Sequence, residues 1–249
     1  MKIIIAPAKQ MRVDEDFTTN KLPPYLKRTE AILALLKSMS LAELQELWQC
    51  NAKLALQNYQ RLQQMDLRQN LTPALYAYDG LQYSHMGARV LEEEAWSYLC
   101  QHLRILSGFY GILEADTGVT PYRLEMQARL AVGGAKSLYA YWGDSLYRSL
   151  VAEDHVILNL ASKEYSKCIE PYLTEQDCMV SCIFASGTPD KYRVKATEAK
   201  MCRGALVRYC AEHQVQQVEE IQGFTAYGYS FQPHLSTAKE YLFLKTPLK

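Results

Sequence analysis

Short apolar runs and helically spaced apolar residues alternate along this chain almost from end to end. Residues 2–6 (KIIIA) form a β-branched run closed by Pro7, which predicts a short buried strand. Residues 25–38 and 41–64 carry Leu, Ile, Ala and Trp at helical spacing, and Ser40 with Glu43 forms a capping box that opens the second helix. Thr72-Pro73 ends that pattern, and 74–83 alternates as a strand or a hairpin interrupted at Asp79-Gly80. Leu91 to Leu106 reads as an amphipathic helix with Trp96, Leu99, Leu103 and Leu106 on one face. Tyr139, Trp142, Leu146 and Leu150 predict another helix over 137–150.

The second half continues the alternation. Val156 to Ala161 (VILNLA) is the clearest buried strand, and Ser162 follows as the N-cap of a short helix carrying Tyr165 and Lys167. Strands at 178–185 and 192–197 flank S-G-T-P-D, a hairpin signal. A helix over 199–212 and a strand over 241–245 complete the pattern. No repeat and no Pro/Gly/Ser tract divides the chain, so residues 1–249 are expected to form a single mixed α/β domain.

Composition narrows the function classes. The 27 Lys and Arg residues balance 27 Asp and Glu, so any anion binding must come from local clustering and not from a global positive field. No apolar run approaches a membrane span, and Pro7 cuts the first one too early for a signal peptide, which points to a cytoplasmic protein without a membrane partner. The seven cysteines are scattered and include no C-x-x-C, and the five histidines are dispersed. No metal site, disulfide framework or cofactor motif is expected.

Four segments carry chemistry. Leu106 to Gly111 has the hydrophobic-x-Gly-hydrophobic-x-Gly form of a helix-hairpin-helix turn, in which Gly108 and Gly111 would bare backbone N–H groups to a phosphate. The same residues also suit an ordinary glycine helix stop. Tyr122, Arg123 and Glu125 follow. On a strand Arg123 and Glu125 share a face, either to orient a phosphate and an acid/base carboxylate or to pair structurally. Asn159 and Ser162, with Lys163, Tyr165 and Lys167, lie at the carboxyl end of a buried strand, where α/β sheets bind ligands, and Lys9 ends the first strand in the same way. Over 190–209, six basic residues from Lys191 to Arg208 outnumber two acids (Asp190 and Glu198), with Arg203 before Gly204 and Tyr192 and Tyr209 interleaved. That is either a nucleic-acid ridge or a solvated face.

Taken together, A-P-A-K at 6–9, L-R-I-L-S-G-F-Y-G at 103–111, P-Y-R-L-E-M at 121–126, W-G-D at 142–144, N-L-A-S-K-E-Y at 159–165, R-G at 203–204 and G-F-x-x-x-G-Y at 223–229 resemble the YaaA peroxide-stress family. The resemblance implies a single α/β domain peculiar to the family, with a helix-hairpin-helix element and a basic cleft. It implies binding of double-stranded DNA and a cytosolic role in surviving peroxide, in part by limiting unincorporated iron. The hairpin carries over onto Leu106 to Gly111, and the basic lining onto Lys9, Arg123, Lys163, Lys167 and Arg203. The chain departs from the pattern at Ala6, where the family has a serine, and at Leu81, where it has an aspartate.

Two functional expectations follow. One is a non-enzymatic DNA-binding protein with little sequence preference. The other is an enzyme acting on damaged bases or nucleotides in the same cleft, with Glu125 as the acid/base and a base or nucleotide as ligand.

Overall fold

In a computed structural model that describes residues 1–245, β1 (Lys2–Ile5) is buried at every position, as its β-branched run predicts. A two-residue strand, β2 (Gln10–Met11), precedes three helices, α1 (Leu26–Ser38), α2 (Leu41–Trp48) and α3 (Ala52–Gln64). The Ser40 capping box is present, with Ser40 N–H donating to Glu43 Oε2 (2.8 Å) and Glu43 N–H to Ser40 Oγ (3.3 Å). The single helix expected over 41–64 is broken, however. Gln49 adopts a left-handed conformation (φ 45°), and Asn51 caps a new helix through Leu54 N–H.

After β3 (Thr72–Pro73), residues 74–83, expected as a strand or a hairpin, instead fall in α4 (Ala74–Ala77), β4 (Tyr78–Asp79) and α5 (Leu81–Met86). The larger correction comes next. α6 (Glu93–His102) stops at His102, and Leu103–Ser107 is β5, paired in parallel with β1 from Ile3↔Leu103 to Ile5↔Ile105. The apolar run 103–106 fits a helix face and a fully buried strand equally well, and burial beside β1 decides between them. β6 (Gly111–Glu114) then returns antiparallel to β5, with Ser107 opposite Gly111. Residues 107–111 are therefore a β-turn between two strands, and the helix-hairpin-helix expected at Leu106 to Gly111 does not form.

β7 (Gly118–Val119) pairs with β3. The helix expected over 137–150 is split by Gly143, at φ +53°, into α7 (Leu138–Trp142) and α8 (Ser145–Val151). β8 (Val156–Leu160) and α9 (Lys163–Ser166) fall where expected, although Ser162 makes no side-chain capping bond. β9 (Cys178–Thr188) and β10 (Lys191–Arg193) form the anticipated hairpin. α10 (Ala196–Glu212) starts early enough to place Arg203 and Gly204 mid-helix and not near its start. β11 (Thr225–Ala226), β12 (Tyr229–Phe231) and β13 (Glu240–Lys245) end the described chain.

The main sheet runs β11-β12-β13-β9-β8-β1-β5-β6, with β10 on the end of β9. Its centre is parallel and its outer strands antiparallel. From β1 the chain first builds β5 on one side and later β8 on the other. The carboxyl ends of β1 and β8 thus flank a topological switch point, where such sheets leave a crevice.

Candidate functional site

A cavity of about 510 Å³ occupies that crevice, a size that suits a small organic ligand. The loop after β1 supplies Lys9, the start of α5 supplies Gln82 and Tyr83, and the segment before the 125 position supplies Tyr122 and Arg123 together with Glu125 itself. Ser162, Glu164 and Tyr165 close it from the turn into α9, and Lys200 and Arg203 from α10.

Each wall is held for a readable reason. α10 lies against α5 because residue 204 is glycine: a Cβ there would stand 2.1 Å from the Gln82 carbonyl oxygen. This close approach brings Arg203 and Gln82 onto one wall. The 103–114 hairpin supports the opposite wall. Ser107 Oγ accepts N–H bonds from Phe109 (3.2 Å) and Tyr110 (2.9 Å). Its own proton then points to Tyr122 OH at 2.6 Å, which in turn reaches Tyr78 OH at 2.9 Å. Burial holds the Tyr122 and Tyr78 hydroxyls well above the usual tyrosine pKa, so both are neutral. A Cβ on Gly108 would meet the Leu124 carbonyl oxygen at 2.9 Å, so the chain carrying Arg123 and Glu125 crosses directly over that glycine. Gly111, at φ +82°, packs under Trp142. The glycines of the 106–111 motif therefore position the wall and do not line the cavity.

Of the residues singled out by sequence, Lys9, Arg123, Glu125, Ser162, Tyr165 and Arg203 meet here. Asn159 does not: its amide donates to Ser181 Oγ (2.9 Å) and accepts from Ala161 N–H (3.0 Å). Lys163 is exposed and paired with Glu170 (2.6 Å), and Lys167 is exposed outside the cavity. The basic ridge is also dispersed. Lys195 pairs with Glu198, Arg208 with Glu212, and Tyr209 packs on Phe224. Sequence reasoning missed Gln82 and Glu164, whose proximity depends on packing between distant elements, and counted Lys200 only within the basic ridge.

The lining is mixed in charge, with Lys9, Arg123, Lys200 and Arg203 facing Asp79, Glu125 and Glu164, and so is not the uniformly basic cleft expected. Glu125 lies 3.2 Å from Lys9 Nζ and 3.4 Å from Arg123 Nη2. Burial, joined by the neighbouring Glu125 charge, pushes the Glu164 carboxyl above its usual value. Arg203 is different in kind. It is half-buried, burial lowers its pKa, and among the described residues it makes no hydrogen bond or ion pair. Gln82 Nε2, Arg123 Nε, Glu125 Oε1 and Arg203 Nε are all buried without a hydrogen-bond partner, and all four residues line this one cavity. Buried polar groups are almost always satisfied, so this cluster is unusual, although Glu125 Oε1 faces the Lys9 and Arg123 charges. Among the described residues no three His, Cys, Asp or Glu side chains converge as metal ligands would, and no helix is long and apolar enough to cross a membrane.

The fold and the cavity define an α/β protein with a polar cavity at the carboxyl edge of a mixed sheet. A family model described as peroxide stress protein YaaA matches residues 1–235, and the chain belongs to that family. It is 50% identical over 245 residues to a UPF0246 protein of Lactiplantibacillus plantarum, covering 98% of this chain and 99% of the relative. It is 48% identical over 244 residues to a UPF0246 protein of Agathobacter rectalis, covering 98% of each. A third relative, from Ligilactobacillus salivarius, is 47% identical over 246 residues, covering 98% of this chain and 100% of the relative.

Proposed function

We propose that this member of the peroxide stress family acts in the cytoplasm by binding double-stranded DNA, with one nucleotide drawn out of the duplex into the cavity. The observation that carries the reading is Arg203, a partly desolvated guanidinium without a counter-charge among the described residues. An unpaired guanidinium is costly to bury and well matched to phosphate. The cavity admits a nucleotide but not a duplex, so a DNA ligand enters by base extrusion, and weakly paired or damaged bases are extruded most readily. Lys9 and Lys200, both exposed at the rim, suit contacts to flanking phosphates, which are sequence-independent. In the cell, the same binding accounts for protection of DNA during peroxide stress, with lower unincorporated iron as a downstream effect.

The test is fluorescence anisotropy with intact duplexes and duplexes carrying one mismatched base, over a salt series. The expected result is affinity that falls steeply with salt, is tighter for the mismatch, and drops about tenfold or more in Arg203→Met. Absence of binding, or salt-independent binding, overturns the reading.

A second reading rests on Glu125, a mostly buried carboxylate between two cations and beside the cavity. An acid/base there would cleave a damaged base from its sugar. Release of free base from oxidised duplex, abolished in Glu125→Gln, would establish it. Duplex recovered intact would exclude it.

A further inference from the structure

Two cations of the 190–209 ridge are not consumed by internal pairs, and they stand together on the β9–β10 hairpin, whose residues 188–195 are exposed at every position. Strand pairing fixes where this arm lies. Ser186 of β9 pairs with Lys245 of β13 and also with Arg193 of β10, so β10 occupies the side of β9 away from β13. That is the side taken by β8, whose last partner on β9 is Ser181, five residues earlier. The arm therefore extends the sheet beyond the carboxyl end of β8, at the edge that holds the cavity. From β10 the chain passes directly into α10, which carries Lys200 and Arg203 to the cavity wall.

The arm has a defined shape. Gly187 adopts φ +145°, and a Cβ there would stand 2.3 Å from the Lys191 carbonyl oxygen, so glycine is what lets the two strands close. Within β10, Lys191 and Arg193 share one face, and Tyr192, 45% exposed, takes the other. Neither Lys191 nor Arg193 makes a side-chain hydrogen bond or ion pair among the described residues. Glu198, at the foot of the arm, is already engaged by Lys195 Nζ (2.8 Å) and the Tyr229 hydroxyl (2.6 Å). Only Asp190, in the turn, sets a carboxylate beside the two cations within the arm itself. The arm thus offers a cationic face on a short two-stranded ribbon, a form that the grooves and backbone of duplex DNA accommodate.

Resting on the reading of the cavity as the seat of an extruded nucleotide, we propose that this cationic face is the duplex-binding surface, with Lys191 and Arg193 on phosphates beside the extruded position. The cavity holds one nucleotide, so the remaining duplex lies against whatever surrounds the cavity mouth. The arm is the exposed cationic element joined to that wall. Its contacts are to the backbone and carry no sequence preference.

The test is fluorescence anisotropy with intact and mismatched duplexes over a salt series, using the full chain, the double variant Lys191→Gln/Arg193→Gln, and Tyr192→Ser. The double variant is expected to bind about tenfold less tightly at low salt, with a log–log salt slope shallower by about two, one for each lost phosphate contact. Its preference for the mismatch should persist, because the cavity is untouched. Tyr192→Ser, on the opposite face of the same exposed strand, should leave affinity and slope unchanged. A double variant with the affinity and slope of the unaltered chain makes Lys191 and Arg193 ordinary edge-strand charges, overturns this proposal and leaves the DNA reading standing. A loss of equal size in Tyr192→Ser also overturns it, since the effect would then not belong to the cationic face. If the unaltered chain binds neither duplex, the DNA reading falls and takes this proposal with it.

Discussion

The two edges of the central sheet handle charge in opposite ways. At the amino edge, Lys2 at the start of β1 donates to the Gln101 carbonyl (2.6 Å) and to Glu153 (2.6 Å). Arg104 in β5 is buried and donates to the Cys100 (3.2 Å) and Leu103 (2.8 Å) carbonyls and to Glu153. Asp177 accepts from Thr174, Tyr147 and His155. At the carboxyl edge, Arg203 has no partner among the described residues, and Gln82 and Arg123 each leave a buried nitrogen without a hydrogen bond. One fold contains both arrangements, so loose packing does not explain the second. Charge at the amino edge is paired within the fold, and at the carboxyl edge part of it is left without a partner among the described residues.

Several measurements break or sharpen this contrast. The largest effect is expected from Gly204→Ala, which forces a methyl to within 2.1 Å of the Gln82 carbonyl oxygen. Urea unfolding should show a loss of about 3 kcal/mol, because a helix pair must separate. Unchanged stability would mean that α10 and α5 do not meet as closely as described.

Next comes Arg104→Met at the amino edge. It should cost about 2 kcal/mol, below the range for a fully buried pair because Glu153 is partly solvated. The pH dependence sharpens the point. Burial works to raise the Glu153 carboxyl, but bonds from Arg104 and Lys2 hold it below its ordinary value. Its stabilisation is present above that value and lost as pH falls through the lowered one, so the substitution should flatten the acid limb of stability. A wild-type-like acid limb would remove Glu153 from the account.

Arg203→Met is the mirror experiment at the carboxyl edge. Stability should be unchanged or raised by up to about 1 kcal/mol, since an unsatisfied buried donor is removed. A loss of 2 kcal/mol or more in thermal unfolding would make Arg203 structural and erase the difference between the edges.

The smallest effect is expected from Glu164→Gln. Burial, then the Glu125 charge, raises the Glu164 carboxyl above 4.5. Its ionisation therefore destabilises the fold as pH rises through that region. Glu164→Gln should raise Tm slightly at pH 7 and leave it unchanged below about pH 4, where the carboxyl is protonated in folded and unfolded chains alike. An equal shift at both pH values would exclude charge as the cause.

Much of the fold was legible along the chain because some signals are local. The β-branched run of β1, the Ser40–Glu43 box of α2, the VILNL strand and the β9–β10 hairpin each depend on neighbouring residues alone. Leu103 to Leu106 was not legible in this way. Its spacing fits a helix, and only β1 alongside turns it into a strand. The glycine motif was read correctly as a tight turn and misassigned to a helix for the same reason. Of the candidate site, Lys9, Arg123, Glu125 and Tyr165 could be found because they sit in dense polar segments. Gln82 sits in ordinary helical sequence, and nothing local distinguishes it.

What the sequence by itself determined is the alternation of strands and helices, the balanced charge, and the positions at which polar side chains interrupt apolar runs. These follow from backbone preference and periodicity, which act over a few residues. Only the tertiary structure decided which charges are paired and which are left unpaired among the described residues. Lys2 and Glu153 lie 151 residues apart, and Gln82 and Arg203 meet only because Gly204 lets two helices touch. Satisfaction of a buried charge depends on what the whole fold brings within hydrogen-bond reach, and no window along the chain contains that information.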